Sequence, residues 1–230
     1  MADRPYTVLS CGMSIDGYLN DGTPKRLLLS NDPDLDRVDG ERARCDAVLV
    51  GAATVRNDNP RLVVRAAWRR QERILAGRPD SPVKVTVTGR GDLEPEADFF
   101  LAGDGEKLVY CSSAALAQTR ARLAAVATVV DGGQPVQMRR MAEDLHARGV
   151  RRLMVEGGGT VLTQFLTADL VDELQLVVAP LFVGDSRARR FVGDGRFPWN
   201  RDRRATLADV RRIGDVVLLR YALSARFQLD

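Results

Sequence analysis

The chain has 230 residues, 45% hydrophobic and 28% charged, enough apolar material for one substantial core near the upper end of single-domain length. Its 34 basic and 31 acidic residues leave a formal charge of +3, too small a surplus to specify a nucleic-acid surface. His146 is the only histidine, which excludes a multi-histidine metal centre, and Cys11, Cys45 and Cys111 form no CxxC pair, so no metal site is expected. A single domain over 1–230, in a reducing cytoplasm, is the expectation. The chain start has no basic region leading into an apolar stretch, and no run reaches the ~18 apolar residues that a membrane helix needs.

Residues 6–13 read as a first strand running into Met13-Ser-Ile-Asp-Gly-Tyr18, which delivers Ser14 and Asp16 either into a mobile lid or into a plain connection. Residues 32–44 are charged with apolar Leu35 and Val38, a helix begun by Asn31 or Asp32 with Pro33 in its first turn. A buried strand over 46–51 follows, then a short helical turn and a loop through Asn57-Asp58-Asn59-Pro60. Residues 66–82, with several arginines, Gly77, Pro79 and Pro82, read as a surface excursion. Strands are predicted at 83–88, 107–111 and 126–130, and helices at 114–124 and 136–148. His146 falls in the last turn of the second, closed by Gly149, where a histidine is a favourable dipole partner. A strand at 150–155 and a helix at 160–166 come next. Strand-like segments at 172–183, 205–213 and 216–223 end the chain, the last two joined by a tight turn at Ile213-Gly214-Asp215. The alternation implies an α/β fold, a mostly parallel sheet flanked by helices and finished by an antiparallel hairpin.

Three segments carry candidate chemistry. Val150-Arg-Arg-Leu-Met-Val-Glu-Gly-Gly-Gly-Thr160 runs a strand into three glycines and then a helix, a junction that presents backbone N–H groups at a positive helix end and suits a phosphate or pyrophosphate. It is neither a Rossmann fingerprint, whose last glycine would fall at Leu162, nor a P-loop, because no Gly-Lys-Ser/Thr follows. Taken alone, the glycines could be a mere turn, and Glu156 could be a solvated turn residue or a ligand acceptor. The second segment, 48–65, ends a buried strand at Gly51 and presents Thr54, Asp58, Asn59 and Arg65 on the side where open α/β sheets place ligands. Asp58 could be a proton donor or orienting acid, or part of an ordinary turn. The third is the Ser14–Asp16 loop.

In this order, M-S-I-D-G, then D-A-V-L-V-G-A-A-T-V-R-N-D-N-P-R-L-V-V-R, then G-V-R-R-L-M-V-E-G-G-G, then L-V-D-E-L-Q-L-V-V-A-P, the chain resembles the reductase domain of bacterial RibD, in riboflavin synthesis, over about residues 6–223. The resemblance implies a dihydrofolate-reductase-like fold, NADPH as cofactor, a phosphorylated aminopyrimidine as substrate and a homodimer. It implies cofactor positions at Gly12, Thr54, Asp58 and Gly89, and a pyrophosphate segment at Gly158, Gly159, Thr160 and the helix start through Val161 and Leu162. Substrate positions are implied at Arg42, Leu62, Arg65 and Glu156, the arginines suited to a sugar phosphate. Asp58 is the implied catalytic residue. Arg90, beside Gly89, is the candidate for the 2′-phosphate of NADPH, which calls for a nearby basic group.

Two departures from the family stand out: no zinc deaminase motif is present, and Arg26-Leu27-Leu28 replaces a common Ser-x-Trp. The expected reaction is reduction of 5-amino-6-(5-phosphoribosylamino)uracil, with a diamino-pyrimidinone sugar phosphate or a pterin such as dihydrofolate as alternatives. A nucleic-acid module, suggested by Arg69-Arg70 and the arginine runs at 187–190, 201–204 and 211–212, lacks interleaved aromatics and is disfavoured. A catalytically idle relative is opposed by the intact Asp58, Arg65 and glycine loop.

Overall fold

The computed structural model describes residues 4–23, 25 and 27–228, so Arg26 of the altered Ser-x-Trp position lies outside the described residues. Among them the chain forms nine strands and seven α-helices. In order these begin β1 (Tyr6–Ser14), α1 (Asp32–Arg44), β2 (Ala47–Gly51), α2 (Ala52–Asp58), α3 (Ala67–Leu75), β3 (Val83–Thr88), α4 (Asp98–Leu101) and β4 (Lys107–Cys111). A 3-10 turn leads into α5 (Leu116–Leu123), then β5 (Thr128–Asp131), α6 (Met138–Ala147), β6 (Arg152–Gly157) and α7 (Gly159–Thr167). The chain ends through β7 (Glu173–Ala179), β8 (Thr206–Ile213) and β9 (Val216–Ala222). No helix among the described residues is long and apolar enough to cross a membrane.

Two compact units divide the chain, one built on Asp39–Met154 and the other on Tyr6–Val38 with Val155 onward. α1 and β6 contribute residues to both. In the first unit the strand order is β5-β4-β3-β2-β6, with β2, β3, β4 and β5 parallel. In the second it is β6-β1-β7-β9-β8, where β1 and β7 are parallel and β9 runs antiparallel to both β7 and β8. The mostly parallel sheet ending in an antiparallel hairpin is therefore the fold that the alternation implies. Gly214, at φ +61°, supplies the left-handed residue that the two-residue turn between β8 and β9 requires.

β2 is buried at every position, from Ala47 to Gly51, as expected for a parallel strand covered on both faces. Val48, Leu49, Val85, Leu108 and Val109 are fully buried with it, each side chain contributing about 1.5–3 kcal/mol by leaving water. β8, by contrast, is exposed along most of its length and ends the strand order, and its arginines and Asp209 suit an edge.

The surface excursion expected over 66–82 is mostly solvent-facing and is built as a helix, α3, with a short return to β3. Its inward face includes arginine: Arg69 and Arg73 are buried. Arg73 donates through Nε to the Pro79 carbonyl (2.8 Å) and through Nη1 to the carbonyls of Ala43 and Cys45 (2.8 Å each). A long stem packs as an apolar group while its head satisfies carbonyls, which apolar periodicity does not register. α4 is too short for a periodic signal. Lys84 of β3 donates to the carbonyls of Phe99 (3.0 Å) and Ala102 at its end, and burial pushes the Lys84 ammonium down to about 8.

Candidate active site

In the first unit, the end of β2 passes directly into α2. Gly51 is extended (φ −72°, ψ 152°) and caps the helix without a side-chain hydrogen bond. Thr54 is half-buried in the first turn. Asp58 is exposed and is the last residue of α2, so the expected loop through 57–60 starts two residues later than read. Asn59 ends the helix in the left-handed region (φ 41°), donating to the Val55 carbonyl at 3.1 Å, while its Oδ1 accepts the Asp98 N–H at 2.7 Å. Leu62 is also left-handed (φ 49°) and buried. Such a conformation is costly for a branched residue and persists only where its surroundings over-determine it. Arg65 is exposed, and Arg42 is half-buried on α1.

Asp39, not singled out in the sequence, is the anchor of this region. Its buried carboxylate accepts the N–H groups of Arg65 (2.6 Å) and Ala66 (3.1 Å) and the Nη1 of Arg69 (2.9 Å). Burial would raise its pKa, but those donors outweigh burial and hold it below the usual carboxylate range.

Gly89 and Arg90 follow β3 and are both exposed. The Thr88 hydroxyl accepts the N–H of Arg90 (3.3 Å) and Gly91 (3.0 Å), closing a local turn. A Cβ at Gly91 would lie 2.0 Å from Thr119 Oγ1, so only glycine fits. Arg56 of α2 donates to the Asp92 carboxylate at 2.9 Å, tying α2 to this turn. Sequence spacing did not indicate this contact, which brings a basic side chain to the residue two positions after Arg90.

In the second unit, β6 carries Glu156, half-buried, into Gly157 (φ +142°) and Gly158 (φ 10°, ψ 149°), after which α7 begins. The helix has no side-chain cap and no acidic residue in its first turn. Val161 and Leu162 donate to the Gly158 carbonyl at 2.9 and 3.1 Å and bury their side chains, so the N–H groups of Gly159 and Thr160 form the open helix end. That arrangement fits a diphosphate. The Cβ of any residue replacing Gly159 would lie 2.6 Å from the Arg190 carbonyl, because residues 189–193 run across the helix start. Gly193 donates to Thr163 Oγ1 at 2.9 Å in the same strap. Gly12 of β1 lies against Leu29, whose Cβ would be 3.2 Å from an added Cβ.

The Ser14–Asp16 loop resolves as a pinned connection. Ser14 Oγ donates to Asp16 (2.6 Å), and the Asp16 carboxylate accepts the N–H groups of Val183 (3.1 Å) and Gly184 (2.8 Å). The Ser14 hydroxyl first, and the backbone donors after it, hold the Asp16 carboxyl down to about 2. The cysteines offer no nucleophile: burial pushes the Cys11 thiol up to about 12 and raises those of Cys45 and Cys111.

The fold is that of a solved bifunctional deaminase and 5-amino-6-(5-phosphoribosylamino)uracil reductase from Thermotoga maritima, at a TM-score of 0.75 and 20% identity. The likeness covers 95% of this chain and 56% of that one, so the chain spans little more than half its length. The sequence matches the RibD C-terminal domain over residues 5–219, and the chain belongs to that family. A relative from Archaeoglobus fulgidus, a 2,5-diamino-6-ribosylamino-4(3H)-pyrimidinone 5′-phosphate reductase, is 36% identical over 225 residues, 97% of this chain and 99% of its own. One of the same name from Methanothermobacter thermautotrophicus is 36% identical over 194 residues, 84% of this chain and 86% of its own.

Proposed function

We propose that the protein is a riboflavin-pathway oxidoreductase that uses NADPH to reduce the ribosyl group of a phosphorylated ribosylaminopyrimidine to ribityl. The observation that carries this reading is the end-to-end match to the archaeal reductase, 97% of one chain against 99% of the other at 36% identity. The uncapped, carboxylate-free start of α7 supports a diphosphate-bearing cofactor. Gly158, Gly159 and Thr160 would hold its pyrophosphate, Thr54 and Gly12 would border its nicotinamide, and Gly89 with Arg90 would take its adenosine ribose and 2′-phosphate. When bound, NADPH would supply the hydride that reduces C1′ of the ring-opened sugar. Asp58 orients the substrate or supplies the proton, Arg42 and Arg65 bind the phosphate, and Leu62 and Glu156 complete the substrate contacts. A cytoplasmic homodimer is part of the same reading.

Two substrates fit, differing in whether the pyrimidine ring has been deaminated. The uracil follows from the RibD resemblance, while the names of the 36% identical relatives favour the diamino-pyrimidinone. NADPH oxidation followed at its absorbance band, with each pyrimidine and dihydrofolate offered separately to wild type and Asp58→Asn, tests the proposal. Turnover of a ribosylaminopyrimidine phosphate, lost in the variant while NADPH affinity is kept, is expected. Turnover of dihydrofolate alone would overturn it.

A further inference from the structure

Arg65 lies in a segment without regular secondary structure, yet side chains hold its backbone on both edges. On one edge Asp39 accepts the N–H groups of Arg65 (2.6 Å) and Ala66 (3.1 Å). On the other, Arg70 Nη1 donates to the carbonyls of Val64 (3.0 Å) and Arg65 (2.6 Å). Ser81 Oγ accepts the Val64 N–H at 3.2 Å. Asp39 also stands at 3.7 Å from Arg65 Nε and occupies α1 one turn before Arg42, so both arginines assigned to the substrate phosphate are placed from the neighbourhood of one buried carboxylate.

A staple for the start of α3 would need only the ion pair of Asp39 with Arg69 at 2.9 Å. The two backbone bonds to Asp39, and the two from Arg70 to the facing carbonyls, instead fix the peptide that carries Arg65. Fixing it before the ligand arrives removes the ordering cost from binding.

We propose that Asp39 and Arg70 are positioning residues that hold Arg65 in place for the phosphate of the substrate. The inference rests on the reading of Arg65 given under Proposed function. Asp39→Asn keeps one backbone acceptor but loses the charge, and Arg70→Ala releases the carbonyl edge, so the two variants perturb the same peptide from opposite sides.

Steady-state kinetics with the 5′-phosphorylated pyrimidine and its dephosphorylated form, together with calorimetric titration of ribose 5-phosphate, test it. Each variant is expected to raise KM for the phosphorylated substrate about tenfold, the loss of roughly one charge-assisted contact, with kcat, the KM for NADPH and use of the dephosphorylated form little changed. In an Arg65→Ala background neither should add a further loss. Equal losses on both substrate forms, or effects that add to Arg65→Ala, would overturn the proposal. If wild type turns over neither pyrimidine, the functional reading fails, and the titration still decides this one. Weaker ribose 5-phosphate binding in Asp39→Asn, Arg70→Ala and Arg65→Ala supports positioning, whereas unchanged binding, or none by wild type, overturns it.

Discussion

The glycines after Glu156 are there for different reasons, and only one of them is visible in a motif. Gly157 supplies a backbone angle (φ +142°) that side chains rarely adopt, whereas Gly159 makes room for the Arg190 carbonyl. The sequence indicates that this junction favours an anion but not that a strap from residues 189–193 lies across it, because that contact joins positions about thirty residues apart. Asp39 was equally illegible: an aspartate among many charges in α1 gives no sign that it will collect three donors. Asp16 supplies a test at this scale. Its carboxyl is held at about 2 in the fold against an ordinary 3.8, so its contribution to stability is complete above the higher value and is lost as pH falls through the lower. The melting-temperature gap between wild type and Asp16→Asn should therefore be widest near about pH 6 and close as pH drops toward the folded value. A gap that does not vary with pH would show that the pin contributes nothing through its charge.

At the scale of elements, most strands and helices lie where hydrophobic patterning puts them, α1 with the same bounds and β3 and β4 likewise. The offsets have specific causes. β6 runs on through Glu156 to Gly157, because glycine marks a strand's end only when its backbone leaves the ladder, and β5 starts at Thr128, two residues later than read. α3 was hidden because arginine stems help make its buried face, and patterns built on apolar residues score those positions as solvent-facing. This makes Arg73 a structural arginine despite its charge. Arg73→Met retains much of the stem's volume but strips three carbonyls of their donor, and denaturant unfolding should show a loss of at least about 2 kcal/mol. A loss within error of zero would mean that water replaces the guanidinium without cost and that α3 is held by its other contacts.

For the whole molecule, the α/β alternation and the terminal hairpin were legible from periodicity and one turn, and family membership from four motifs in order rather than from any one of them. Substrate identity was not legible, because the two pyrimidines differ by a single ring substituent and the phosphate contacts proposed for Arg42 and Arg65 would serve either. The central claim is a hydride transfer to the sugar carbon, and isotope transfer reads that step itself. NADPH deuterated at the transferable position of its nicotinamide, incubated with the protein and each ribosylaminopyrimidine phosphate, should give a ribitylamino product whose mass spectrum places deuterium at C1′. Consumption of NADPH with no deuterium in the pyrimidine product, or label recovered only in a reduced pterin, would contradict the account.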